Sequence, residues 1–317
     1  MMRCFVRAIV AACVLGTALA AVAAQQALFR GTSDAVRVFV TVTDREGRLV
    51  PTLTQSDFEV RDEGKVQPIT VFDNSPQPVR LVVMLDVSGS MEGNLPLLRA
   101  AASELFGRLR PDDVARVGTF GHEVTLSPSF TRDVRELKAA LPTEIAPDAP
   151  TPLWRAIDEA LDAFGPARDQ RTVILVLSDG KDAEPPSFRR RPISQSEIID
   201  RARREDVMIY AVAMRSRRSR AVPPGLGPGD LQALLVADLP DPGLGRVADE
   251  TGGGYIEIRF GQDLVAAFGR VADELHSQYL LGFAPPVRNG KVHRIDVRTV
   301  KTDVKPRARK TYVAPKQ

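Results

Sequence analysis

Five side chains, scattered along the chain, carry oxygen atoms that could together bind a divalent cation. They are Asp86, Ser88, Ser90, Thr151 and Asp179. The set contains only carboxylates and hydroxyls, with no Cys or His. Hard oxygen ligands of this kind suit Mg²⁺, which prefers octahedral oxygen coordination and keeps some of its waters; another divalent cation such as Mn²⁺ or Ca²⁺ remains an alternative.

Two apolar runs, 81–85 and 172–177, are expected to position the two acidic turns of this set. Each run is continuous, which is typical of a strand buried on both faces of a sheet. Ligands of open α/β sheets bind outside the carboxyl ends of the strands, so both turns should open at the same edge. Thr151 stands in a loop just before a predicted helix and adds a third hydroxyl.

Buried strands alternate with amphipathic helices throughout residues 79–276. Apolar residues at three- and four-residue spacing predict helices over 95–109 and 262–276, for example. This alternation predicts an α/β fold with a doubly wound, mostly parallel, Rossmann-like sheet and helices on both faces.

The two ends of the chain have strand patterns instead. Valines alternate with polar residues from Val36 to Val42, and short strand patterns separated by turns return over 278–314. We predict that segments 25–78 and 277–317 pack together as a flanking β-rich domain, into which the α/β block is inserted.

Residues 1–24 have the composition of a secretory signal peptide. Arg3 and Arg7 form a short positive start, residues 8–24 carry no charge, and small residues precede a predicted cleavage near Ala24. The alternative is a retained N-terminal anchor. Cleavage would leave no cysteine and no membrane span, so we predict a secreted, periplasmic or cell-envelope protein.

Composition excludes several classes of protein. The 317 residues include 43 Lys and Arg against 40 Asp and Glu, a balance that argues against a nucleic-acid binder. Two cysteines and three histidines exclude Cys-rich zinc folds and disulfide scaffolds. The oligomeric state stays open.

The pattern Asp86-x-Ser88-x-Ser90, followed by Thr151 and Asp179-Gly180, resembles the metal-ion-dependent adhesion site of the von Willebrand factor type A domain. The resemblance spans about residues 80–276, and the flanks are similar to those of bacterial VWFA-related proteins. It implies that Ser88 and Ser90 touch the metal directly. The other three residues would bind it directly or through water. The family's Gly-Gly before the threonine is Ala149-Pro150 here.

This resemblance implies a binding protein rather than an enzyme. One coordination position of an adhesion-type metal stays open for a carboxylate of a partner protein or surface polymer. No general base is evident beside the site, and no G-x-S-x-G turn is present. Two alternatives remain: a metal-assisted hydrolase using the same pocket, and a structural envelope protein whose metal stabilises the fold.

Two arginine clusters follow predicted strands on the metal's side of the sheet. They comprise Arg189, Arg190, Arg191, Arg215, Arg217, Arg218 and Arg220. They could steer an acidic partner toward the metal through long-range attraction. The alternative is that they simply lie in solvated loops.

Overall fold

The computed structural model describes residues 35–165, 171–179, 181–183, 191–214, 241–258 and 263–316. The strands in these ranges are β1 Val36–Asp44, β2 Phe58–Asp62, β3 Lys65–Gln67, β4 Val71–Asp73, β5 Val79–Asp86, β6 Val114–Phe120, β7 Val124–Leu126, β8 Arg171–Ser178, β9 Val207–Met214, β10 Tyr255–Ile258, β11 Tyr279–Phe283, β12 Val292–Thr299, β13 Val304–Arg307 and β14 Thr311–Val313. The α-helices are α1 Leu95–Gly107, α2 Val134–Ala139, α3 Leu153–Asp162, α4 Gln195–Glu205, α5 Pro242–Thr251 and α6 Leu264–Leu275.

A six-stranded sheet in the order β10-β9-β8-β5-β6-β7 forms the centre of the molecule. Neighbouring strands are parallel except at one edge, where β7 runs antiparallel to β6. The predicted doubly wound α/β fold is therefore confirmed. The three-residue strand β7 was not predicted, because a strand this short leaves almost no periodic pattern.

Helices cover both faces of this sheet. Because side chains alternate along a strand, Leu81 and Val83 of β5 pack into one core and Val82 and Met84 into the other. Helices α1 and α6 supply apolar side chains to the first core, and α3, α4 and α5 to the second. Strand β5 is thus buried from both sides, which explains its continuous apolar sequence.

Strands from the two ends of the chain share two further sheets, in the orders β13-β1-β11-β4 and β14-β12-β2-β3. Strand β1 pairs antiparallel with β11 and β13, and β2 pairs antiparallel with β12. A third core, including Val38, Val40, Tyr279 and Phe283, lies among these strands. The domain limits drawn from the sequence stay predictions.

The carboxylate of Asp113 connects three elements at the amino end of the central sheet. It accepts hydrogen bonds from the backbone N–H of Val79 at 2.9 Å, the backbone N–H of Arg110 at 2.7 Å and His276 Nε2 at 2.8 Å. Burial acts to raise the pKa of Asp113, but the hydrogen bonds from His276, Arg110 and Val79 together hold that pKa below its ordinary value.

We expect Asp113→Asn to destabilise the protein at neutral pH by about 1–3 kcal/mol, because the amide cannot accept all three hydrogen bonds. A carboxylate with a lowered folded-state pKa stabilises the fold above its unfolded pKa of about 3.9 and loses this contribution as pH falls. The difference between wild type and variant in urea unfolding should therefore shrink toward pH ~3.5. The exposed Asp303→Asn serves as control; a pH-independent difference for Asp113→Asn would contradict this assignment.

Candidate metal centre

The register of two neighbouring strands places the first carboxylate of the predicted site. Strand β5 ends at Asp86 and lies parallel to β8, with Leu85 opposite Leu177. The residue after Leu177, Ser178, donates its hydroxyl to Asp86 Oδ2 at 2.5 Å. Asp86 is completely buried, so the paired strands fix its position at the carboxyl edge of the sheet.

The turn after β5 carries the two serines. The backbone N–H of Ser88 donates to Asp86 Oδ1 at 2.8 Å, and a 3₁₀ turn then runs over Gly89–Asn94. The hydroxyls of Ser88 and Ser90 lie 3.1 Å apart. Ser90 donates to Asp179 Oδ1 at 2.6 Å, so four of the five predicted ligands form one hydrogen-bonded chain.

Thr151 lies on the loop that borders both acidic turns. The carbonyl of Ala149 accepts a hydrogen bond from the Gly89 N–H at 3.0 Å, beside the serines. The Thr151 carbonyl accepts from Ala183 at 2.8 Å, shortly beyond Asp179. Thr151 is only 7% exposed. The backbone therefore brings Thr151 to the same edge, although Ala149-Pro150 replaces the family's two glycines.

Gly89 permits this close approach of the two loops. A Cβ at this position would lie 1.9 Å from the carbonyl oxygen of Pro147, far inside any van der Waals contact. The glycine between the serines is thus required by packing.

The electrostatics of the cluster favour a cation. Burial, and secondly the neighbouring Asp179 carboxylate, raise the pKa of Asp86 to about 7 against the opposing hydrogen bonds from Ser178 and Ser88. Asp179 is also buried. A divalent cation between the two carboxylates would favour their charged forms and replace the solvation lost on burial.

The donor set therefore fits Mg²⁺ or a similar hard cation. In the described ranges, no three His, Cys, Asp or Glu side chains converge as a metal-binding group. The cluster is consistent with that result, because hydroxyls supply three of its five candidate ligands.

Most of the predicted steering arginines lie outside the described residues, namely Arg189, Arg190, Arg215, Arg217, Arg218 and Arg220. Gly180 and the predicted signal at residues 1–24 also lie outside them. Arg191 is described. Its guanidinium forms an ion pair with Glu197 in the first turn of α4.

Two features near the cluster were not predicted. His122 Nε2 lies 3.1 Å from Asp148 Oδ1, which joins the β6–β7 turn to the loop that leads to Thr151. No sequence pattern relates these two residues. Asp241 accepts a hydrogen bond from the Gly243 N–H at 2.8 Å, capping α5, and another from the Asp182 N–H at 3.2 Å. An Asp followed by a Pro is a recognisable signal for the start of a helix. The pair Asp241-Pro242 could therefore have identified Asp241 as the cap of α5.

The model of the von Willebrand factor type A domain family matches residues 81–226. Similar solved structures include a von Willebrand factor type A protein from Catenulispora acidiphila, at 12% identity over 83% of this chain and 75% of that chain with a TM-score of 0.47. They also include an aerotolerance-related membrane protein from Bacteroides fragilis, at 16% identity over 62% and 98% with a TM-score of 0.46.

A third is the mussel proximal thread matrix protein 1 with a zinc-occupied MIDAS motif, at 15% identity over 68% of this chain and 49% of that chain with a TM-score of 0.46. No protein with a curated description matches the sequence significantly.

We expect Mg²⁺ to raise the melting temperature of the wild type but not that of Asp86→Asn, which lacks one of the two buried carboxylates. At a Mg²⁺ concentration of about 100 times the dissociation constant, binding adds about 2.7 kcal/mol, or roughly 5–10 °C for a domain of this size. Asp296→Asn, at an exposed ion pair with Arg298, should keep the full response in differential scanning fluorimetry. Equal stabilisation of Asp86→Asn would contradict the site.

Gly89→Ala should weaken Mg²⁺ binding by about tenfold or more, because relieving the clash with Pro147 moves one loop away from the other. Gly93→Ala is the matched control in the same 3₁₀ turn, since a Cβ at Gly93 meets nothing within 4 Å. Calorimetric titration with MgCl₂ measures both, and circular dichroism checks that both variants fold. Identical Mg²⁺ affinities would show that the loop contact does not shape the site.

Proposed function

Because residues 81–226 match the von Willebrand factor type A domain, we propose that this protein binds an acidic group of another protein or of a surface polymer through a bound divalent cation. Domains of this type commonly mediate metal-dependent protein binding or adhesion. For this chain, we propose three things: the bound cation, an acidic partner, and capture of the partner's carboxylate by the cation.

One observation carries the proposal: Asp86, Ser88, Ser90 and Asp179 form a continuous hydrogen-bonded cluster at the carboxyl edge of the sheet. Asp86, Ser88 and Asp179 are buried, whereas Ser90 is partly exposed. The cluster thus reaches the surface at Ser90, and a partner could approach from that side.

The roles of the residues follow from their chemistry. The hydroxyls of Ser88 and Ser90 would bind the cation directly, and Asp86, Thr151 and Asp179 would bind it directly or through water. Bound Mg²⁺ would supply a positive charge with an exchangeable coordination position, suited to an incoming carboxylate. The hydroxyl ligands are neutral, so a cation bound directly by Ser88 and Ser90 would keep positive charge for the partner's carboxylate.

Binding is a better proposal than catalysis because the same cation would remove the basicity of the carboxylates. Ser90 donates to Asp179, and a positive charge beside Asp179 lowers the affinity of that carboxylate for a proton. His122 forms its hydrogen bond with Asp148 instead. Mg²⁺ also activates bound water less than zinc does.

The proposed setting is outside the cytoplasm, either secreted or in the cell envelope, on the basis of the signal-like residues 1–24. Within the residues that the structure describes, no helix has the length and apolar character to cross a bilayer. If the arginine clusters steer an acidic partner, the pairing of Arg191 with Glu197 leaves that role mainly to the other six arginines.

The test is retention on a defined carboxylate surface. Wild-type protein should bind immobilised poly-L-glutamate in MgCl₂ and dissociate when a chelator is added, as measured by surface plasmon resonance. Ser90→Ala should lose most of this Mg²⁺-dependent binding while keeping the fold, since the residue is partly exposed. Asp296→Asn should bind like wild type.

Binding that survives both the chelator and Ser90→Ala would contradict carboxylate capture by a metal. If the chelator instead lowers the melting temperature without releasing the protein from the surface, the cation only stabilises the fold.

A further inference from the structure

A second candidate site lies at the opposite end of the central sheet. A cleft of about 360 Å³ is lined by the first residues of β8, the end of α4 and strands β1 and β14. Arg171 begins β8 and Ser178 ends it, so at about 3.3 Å per residue the cleft lies roughly 23 Å from the metal centre. The two sites can therefore be tested independently.

Arginines dominate the lining of this cleft. They are Arg37, Arg171, Arg203, Arg204 and Arg309. The two acidic residues in the lining are already engaged: Asp206 pairs with Arg309, and Glu205 lies 2.8 Å from Arg201, which is not part of the lining. The cleft therefore carries an excess of positive charge.

Arg171 is the buried cation of the cleft. It is 8% exposed, donates from Nη1 to the Leu275 carbonyl at 2.8 Å, and places its guanidinium carbon 4.7 Å from the centre of the Phe39 ring. Its Nε is buried and has no hydrogen-bond acceptor among the described residues. A buried donor without an acceptor is costly, and an anion bound in the cleft beside Arg171 would offset part of that cost.

Arg37 is the exposed cation of the same cleft. Its neighbour across the lining, Arg309, donates to the Arg37 backbone carbonyl, but the Arg37 guanidinium forms no ion pair within the described part of the chain. Guanidinium groups bind carboxylate and phosphate oxygens with paired donors, and the exposed guanidinium of Arg37 retains donors for that purpose.

We propose that this cleft binds a small molecule with two or more anionic groups, carboxylate or phosphate, held by Arg37 and Arg204 at the surface above the buried positive charge of Arg171. The volume is at the lower end of the range of about 300–1,000 Å³ that is usual for small-molecule sites. It suits a compact polyanion rather than a segment of a macromolecule. The nearby Arg203 and Arg309 are already paired with the carboxylates of Asp200 and Asp206, and they hold α4 and the β-rich sheets together through Thr311 and Asp206.

The experiment is calorimetric titration of the full chain, dialysed free of divalent cations, with pyrophosphate and with tricarballylate at constant ionic strength. We expect saturable binding of at least one probe. Arg37→Ala and Arg204→Ala should each weaken it by about tenfold, the effect of losing a hydrogen bond to a charged group. Tighter binding of pyrophosphate identifies a phosphate ligand, tighter binding of tricarballylate a carboxylate ligand, and similar affinities a general polyanion site.

Arg298→Ala is the matched control, because Arg298 is an exposed arginine of β12 that does not line the cleft. The Arg298→Ala variant should bind pyrophosphate and tricarballylate with the same affinities as the wild type. Heats no larger than those of NaCl for both probes would overturn the proposal. So would unchanged affinity in both Arg37→Ala and Arg204→Ala. Since both variants alter exposed or peripheral side chains, their Mg²⁺ binding should stay normal and will confirm that they are folded.

Discussion

The closeness of two buried carboxylates, Asp86 and Asp179, is the constraint on which the carboxyl edge of the sheet depends. Bringing two negative charges out of water beside each other is unfavourable, and the raised pKa of Asp86 expresses this cost. Hydrogen bonds from Ser178, Ser88 and Ser90 offset part of it. A divalent cation would offset the rest, which gives a physical reason for a protein to keep this arrangement.

The surrounding structure holds the carboxylates in place through backbone contacts. Strands β5 and β8 pair in register, so their last residues meet at one point of the edge. Gly89 lets the loop that leads to Thr151 lie directly against the turn that carries the serines. At the other end of the same sheet, arginines gather where the β-rich sheets meet α4. Among the described residues, two buried aspartates therefore lie at one end of the central sheet and an arginine-lined cleft lies at the other.

The fold and the closeness of the Asp86 and Asp179 turns were predictable because both depend on local patterns, whereas the metal ligands stay a prediction. Continuous apolar runs identify buried parallel strands, and parallel strands direct their carboxyl ends to one edge. The contact of His122 with Asp148, the short strand β7 and the arginine cleft were not predictable. Arg37 and Arg171 are far apart in the sequence and line the same cleft only because Phe39 of β1 packs against Arg171 at the start of β8. Such neighbours depend on tertiary packing, which has no periodic signature in one sequence.

The most direct measurement of the central claim is a crystal structure of the protein soaked in Mn²⁺, with anomalous diffraction data to locate the ion. The account predicts one strong anomalous peak, within coordination distance of the Ser88 and Ser90 hydroxyls and beside Asp86 and Asp179, with Thr151 facing the ion directly or through water. Absence of a peak there, or a Thr151 hydroxyl directed away from it, would contradict the account.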